Sequence, residues 1–114
     1  MTTLELDHQL NTMIIQGESG DAFQKFYAED VVAQENDEPE RIGRDVWMSA
    51  RQEMERRIKK FDARVLAHAA NGETSFSEWE YNLELEGRGA IRIVQVAVRR
   101  WTAGKVVRER FYHK

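Results

Sequence analysis

A carboxylate at the end of an apolar strand is the first feature of this sequence that could do chemistry. Val31-Val32-Ala33 reads as a buried strand, and Gln34-Glu35-Asn36 follows it directly. Taking a carboxylate out of water is costly unless it is paired, hydrogen-bonded or protonated. Glu35 therefore either ends a solvated strand or occupies a pocket. In a partly apolar pocket its pKa rises, and it can take a proton from a carbon next to a carbonyl. A second set, Glu78, Glu80, Gln95, Arg99 and Glu109, lies in alternating segments further on and forms either a polar pocket lining or cross-strand ion pairs on a wet sheet face. Other chemistries find little support. His8, His68 and His113 stand on different elements with no HxH or HxxxH spacing, so no metal site is expected. The serines lack a nucleophile elbow, and "GESGD" lacks the lysine and spacing of a phosphate loop.

The elements that must position these residues follow from periodicity. Leu6, Leu10, Met13 and Ile14 recur at helical spacing over 3–16, with Thr3 as cap and Gly17 as stop. Asp21 is expected to cap a short second helix, "AFQKFYA". A short strand covers 31–35, and "NDEPERIG" reads as a polar loop. A third helix spans 44–59 with the stripe Trp47, Ala50, Met54 and Ile58, the charges of "RQEMERRIKK" facing solvent. After Lys60 the period becomes two, through "FDARVLAHAA", "TSFSEWEYNLELE", "AIRIVQVAVRRW" and "KVVRERFYHK". Helices followed by an antiparallel meander predict an α+β fold, in one domain over residues 1–114.

Turn lengths set the register. With two-residue turns at Asn71-Gly72 and Gly87-Arg88 and a three-residue turn at 102–104, Glu78 faces Ala97 and Ala97 faces Glu109. One sheet face then holds Ala63, Val65, Glu78, Glu80, Gln95, Ala97, Arg99, Glu109, Phe111 and His113, and the other holds His68, Trp79, Tyr81, Leu83, Val94, Val96, Arg108, Arg110 and Tyr112. A two-residue turn at Ala103-Gly104 would move Glu109 to the other face. Two accounts fit. Either the first face is solvated and the second packs on the helices, or the first curves round a polar cavity and the second, rich in aromatics and arginine, forms a dimer interface.

Composition narrows the classes. The chain has 114 residues, 41% hydrophobic and 32% charged, which is ordinary for a globular protein. A net charge of −3 argues against nucleic acid as a partner, since phosphate binding needs a basic footprint. With no cysteine, disulfides, thiolate zinc sites and a cysteine nucleophile are excluded. The acidic start does not read as a signal peptide, and no apolar run is long enough to span a membrane, so a cytoplasmic location without membrane partners is expected.

The element order, with "AFQKFYAEDVVAQEN", "IGRD" before a helix, "FSEWEY", and "VQVAVRRW" followed by "GKVVRERFYHK", resembles the SnoaL-like branch of the nuclear-transport-factor-2-like superfamily over nearly the whole chain. The resemblance implies a cone whose curved sheet and helices enclose a pocket, often dimerising through the sheet. It places Glu35 of "YAEDVVAQEN" where ketosteroid-isomerase-like members carry their general base. The positions matching their two oxyanion donors are Met13 and Ala97, which donate no strong hydrogen bond, so that isomerase chemistry in its usual form is not expected. The residues expected to line the pocket are Met13, Tyr27, Trp47, Glu78, Gln95, Ala97, Arg99, Glu109 and Phe111. The resemblance implies a homodimer that binds an unknown small molecule and needs no cofactor. Its function would be isomerisation, cyclisation or dehydration with Glu35 as base, or, alternatively, non-catalytic binding or protein interaction on the same fold.

Overall fold

The switch from helical to two-residue period is where the architecture changes, and the computed structural model, which describes residues 1–114, follows it. Helices α1 (Thr3–Ile15) and α2 (Ser19–Phe26) lead into β1 (Tyr27–Glu35), a two-residue β2 (Arg41–Ile42) and α3 (Arg44–Glu55). Four long strands follow: β3 (Ile58–Asn71), β4 (Thr74–Leu85), β5 (Gly89–Thr102) and β6 (Lys105–His113). They form one curved sheet in the order β2-β1-β6-β5-β4-β3, with β1 parallel to β6 and every other pair antiparallel. α1 packs on β3 and β4, and α3 on β1 and β2, so the helices close one face of the sheet. This is the α+β cone expected of the fold.

Local details differ from the periodicity reading. Thr2, not Thr3, caps α1, through a reciprocal capping box with Glu5. α2 starts at Ser19, two residues before the expected Asp21 cap. β1 begins at Tyr27, so the strand is longer than 31–35, and the end of the polar loop pairs with it as β2. α3 stops at Glu55, and Ile58, assigned to its stripe, opens β3 instead.

The register of β4 is the larger correction. Asn71 pairs with Thr74, so the first turn is Gly72-Glu73, and Leu85 pairs with Gly89 across a three-residue loop. Moving the first turn shifts the pairing by two residues and keeps its parity, but a bulge between Val65 and Ala67 and the three-residue loop each shift β4 by one residue, against β3 and β5 respectively, which exchanges its faces. Ser75, Ser77, Trp79, Tyr81 and Leu83 point to the helices, while Glu78, opposite Val96, and Glu80 point away. Glu78 therefore does not line the interior. β6 keeps its expected faces, but not its expected pairing of Ala97 with Glu109, by a different route. Its turn is the two-residue Ala103-Gly104, both at positive φ as a tight hairpin turn requires. A bulge between Arg100 and Trp101 then restores the parity, so Arg99 faces Glu109 and Ala97 faces Phe111.

The interior is built around a charge. Arg99 is 2% exposed; its Nε donates to Glu109 Oε2 at 2.6 Å and its Nη1 to Asp7 Oδ1 at 2.8 Å. Asp7 and Glu109 are both fully buried. Asn11 and His68 complete the shell of Asp7, the His68 Nε2 lying 2.6 Å from Oδ2. The Tyr27 hydroxyl and the Trp47 indole N–H donate to Glu109, the latter at 3.1 Å. Burial works against the Asp7 charge, but the Arg99 guanidinium overcomes it and holds the carboxyl below its usual range. Burial, with Glu109 beside it, pushes the Tyr27 hydroxyl well above 10. Around this network pack Phe23, Phe26, Trp79, Trp101 and Phe111. The two serines on β4 accept indole N–H bonds, Trp79 to Ser77 at 2.9 Å and Trp101 to Ser75 at 3.0 Å, which explains polar residues in the core.

Removing Arg99 leaves two buried carboxylates without their counter-charge. Arg99→Met is expected to lose about 3–5 kcal/mol of stability, read as a lower urea midpoint at unchanged slope. A loss under about 1 kcal/mol would show that the network does not hold the core.

Candidate functional site

Glu35 is fixed by the end of its strand. Asn36 adopts φ 48°, a left-handed conformation that asparagine tolerates, and turns the chain away. Its N–H donates to the Phe111 carbonyl at 2.8 Å, and its side-chain oxygen accepts the His113 N–H at 3.0 Å. These bonds lock the ends of β1 and β6 together. As a result Glu35 Oε2 lies 3.2 Å from His113 Nε2, with both side chains only partly exposed. Gln95 pairs with His113 across β5 and β6, which brings its amide to the same rim. The Lys114 carbonyl, 3.0 Å from Nδ1, raises the His113 pKa, and Glu35 adds to the rise.

This pair stands on a mainly apolar cavity of about 160 Å³. Ile58, Phe61, Leu83, Ile93 and Phe111 supply the greasy wall, and Glu35, Arg51, Tyr81, Gln95 and His113 supply the polar groups. The Tyr81 ring stacks on Trp79 at 5.3 Å with 9° between planes, which sets its orientation. Burial raises the Tyr81 pKa, with Arg51 opposing, so the hydroxyl remains a proton donor. A second, more polar cavity of about 270 Å³ adjoins on the other side of Glu35 and Phe111, bounded by Trp47 and the 38–41 loop. The arrangement offers a carboxylate–imidazole pair able to accept a proton, a protonated phenol able to donate a hydrogen bond, and one guanidinium.

Of the residues expected to line one pocket, Glu35, Gln95 and Phe111 meet at the apolar cavity, and Trp47 joins Glu35 and Phe111 at the second. Tyr27, Ala97, Arg99 and Glu109 come together, but in the closed core beneath, as network and packing. Met13 is half-buried on α1 at the edge of that core. Glu78 lies on the outer face, away from all of them, because of the bulge in the β3–β4 ladder and the three-residue loop after β4. Its neighbour Glu80 is gripped there by Arg64 and Arg92, whose hydrogen bonds pull its carboxyl down to about 2. The guanidiniums that cover Glu80 are themselves largely exposed, so this is a surface cluster.

Sequence reasoning missed Tyr81 and Arg51. Tyr81 was assigned to the other face by the assumed turns, and the strict alternation of β4 carried no signal to correct it. Arg51 was counted with the charged solvent face of α3, and nothing in its neighbours distinguishes it. No three His, Asp or Glu side chains converge to hold a metal ion, and no helix is long and apolar enough to cross a membrane.

The comparisons with known proteins agree on the fold. A family model described as a SnoaL-like domain matches residues 10–109. No curated protein matches the sequence. Among solved structures, a candidate SnoaL-like polyketide cyclase from Mesorhizobium loti is 19% identical, with a TM-score of 0.83 over 98% of this chain and 99% of that one. A protein of unknown function with a cystatin-like fold from Xanthomonas campestris is 18% identical, with a TM-score of 0.87 over 99% and 91%. An LEH-like epoxide hydrolase from M. tuberculosis is 16% identical, with a TM-score of 0.81 over 98% and 82%.

The geometry of the rim makes a direct prediction. In an NMR titration His113 is expected to release its proton above 6.5, and Glu35→Gln is expected to lower that midpoint without removing the part due to the Lys114 carbonyl. Because the folded pKa is the higher one, the stability contributed by the charged imidazole is complete below pH 6.5 and is lost as pH rises through the raised value. Identical midpoints in the two proteins would mean the pair does not form in solution.

Proposed function

The chain belongs to the SnoaL-like domain family, and from that premise we propose that it binds a small carbonyl compound in the apolar cavity and moves a proton within it. The observation that carries this reading is the Glu35–His113 pair at the rim of a largely apolar cavity that also presents Tyr81 and Gln95. Glu35 takes the proton from the carbon next to the carbonyl. The electron pair passes to the carbonyl oxygen, which accepts a hydrogen bond from the Tyr81 hydroxyl or the Gln95 amide. Returning the proton at another carbon completes an isomerisation; attack of the enolate on a second carbonyl completes a cyclisation; loss of a β-hydroxyl completes a dehydration. None of these steps calls for a cofactor. The family name and the candidate polyketide cyclase among the structural relatives fit this class. The steroid isomerase form is disfavoured, because Met13 and Ala97 stand where its donors would be.

The test is deuterium uptake from heavy water into phenylacetone, followed by NMR. A positioned general base contributes roughly 10²–10⁴-fold, so Glu35→Gln should slow enzyme-dependent uptake about 100-fold or more while the far-UV circular dichroism stays unchanged. Uptake at the wild-type rate in a folded Glu35→Gln protein removes Glu35 as base. No uptake with the wild type removes enolisation of small phenyl-bearing ketones from the reading.

A second copy of the chain is the proposed partner. The outer sheet face exposes Phe76 at 39%, Val94 at 39% and Tyr112 at 44%, on three adjacent strands and next to Arg100 and Arg108. A face with such aromatic and arginine content suits an isologous interface. Native mass spectrometry should find a dimer that Val94→Glu converts to monomer; a monomeric wild type sinks this reading.

A further inference from the structure

Arg51 is the only guanidinium on the wall of the apolar cavity, and its setting is unusual for a helix-surface arginine. Its side chain is only 17% exposed. The guanidinium carbon lies 5.7 Å from both the Phe23 and the Trp47 rings, which hold the planar group from below. The nearest carboxylate oxygen, on Glu55, is 3.7 Å from Nε, beyond hydrogen-bond distance, and both Glu55 oxygens accept instead from the Ser19 hydroxyl. A guanidinium has five N–H donors in a fork that matches a carboxylate. Here that fork is oriented by aromatic rings, is paired only loosely with Glu55 and lies beside the Tyr81 hydroxyl, and it borders two cavities at once: the one beside Glu35 and an adjoining one of about 210 Å³, which shares Arg51, Ile58 and Phe61.

We propose that the ligand of this cavity carries a carboxylate beside a ring-sized apolar group, and that Arg51 receives the carboxylate. The proposal rests on the reading of the cavity as the ligand site and adds the substrate class. Size supports it, since a cavity near 150 Å³ accommodates one aromatic ring, and the adjoining space beside Arg51 leaves room for a charged arm. Electrostatics support it as well. Glu35 would repel an anion, but His113 pairs with it on the far side of the rim, and Arg51 stands against low-dielectric walls where an ion pair is stronger than in water.

The experiment compares 3-phenylpropanoate with 3-phenylpropanamide, which have the same shape and differ in charge, by titration calorimetry on the full chain. The wild type is expected to prefer the acid by about tenfold or more. Arg51→Gln should bring the two within about twofold by lowering the acid affinity far more than the amide affinity, unchanged far-UV circular dichroism showing the fold intact, and Arg51→Lys should recover part of the preference. Equal binding of acid and amide by the wild type overturns the proposal, as does a preference that survives Arg51→Gln, or binding of neither compound. The two readings fail separately. An Arg51-dependent acid preference in a protein whose proton exchange ignores Glu35→Gln leaves the anion site standing and removes the base. Glu35-dependent exchange without an acid preference does the reverse.

Discussion

The buried Arg99 guanidinium, held between Asp7 and Glu109, is the interaction on which the rest of the structure depends. It joins the first helix to the last two strands, and through Tyr27 and Trp47 it reaches β1 and α3 as well. Taking these charges out of water costs several kcal/mol per ion, so the network adds little net stability over an apolar core. Its effect is on choice of register. A one-residue slip of β5 would send Arg99 to the outer face and strand two carboxylates in the interior. The bulge after Arg100 serves the same end, since without it the tight Ala103-Gly104 turn would put Glu109 on the wrong side.

That network also separates two kinds of acid in one molecule. Asp7 and Glu109 are fully buried and each is held by three side-chain hydrogen-bond partners, so neither opens onto a cavity where a substrate could reach it. Glu35 shares the same side of the sheet but sits at its rim, with a single imidazole partner and access to the cavity. Trp47 connects the levels: its indole N–H bonds Glu109 in the floor, its ring supports Arg51, and its edge meets Phe111 at 6.2 Å. Positions of the rim groups are therefore set by the packing of the floor.

Much of this was legible in the order of residues. The helical stripes, the switch to alternation and the Gly-rich turns located all the long elements, and the apolar run ending in Glu35 located the acid at the rim. Gln95, Ala97, Arg99, Glu109 and Phe111 were correctly placed together on one face. Glu78 was not, and Tyr81 was assigned to the wrong side, both for one cause. A strand of strict alternation looks equally good facing either way, and β4 has aromatic residues on one parity and glutamates on the other. Reading the glutamates inward required an unbroken β3–β4 ladder and a two-residue second turn, whereas a bulge interrupts the first between Val65 and Ala67 and the second loop has three residues.

By itself the sequence determined the elements, their order and the α+β class, because periodicity and turn chemistry are local properties of neighbouring residues. It also set Glu35 at a strand end, since the apolar run and the left-handed Asn36 are adjacent in the chain. Only the tertiary structure decided which acids are buried and which meet a cavity, because loop length and a single bulge control parity over whole strands. It alone turned Arg51 from a surface charge into part of a wall. The rings that hold it come from α2 and from its own helix, and the cavities it borders are bounded by β3, β4 and β5, segments that no local pattern brings together.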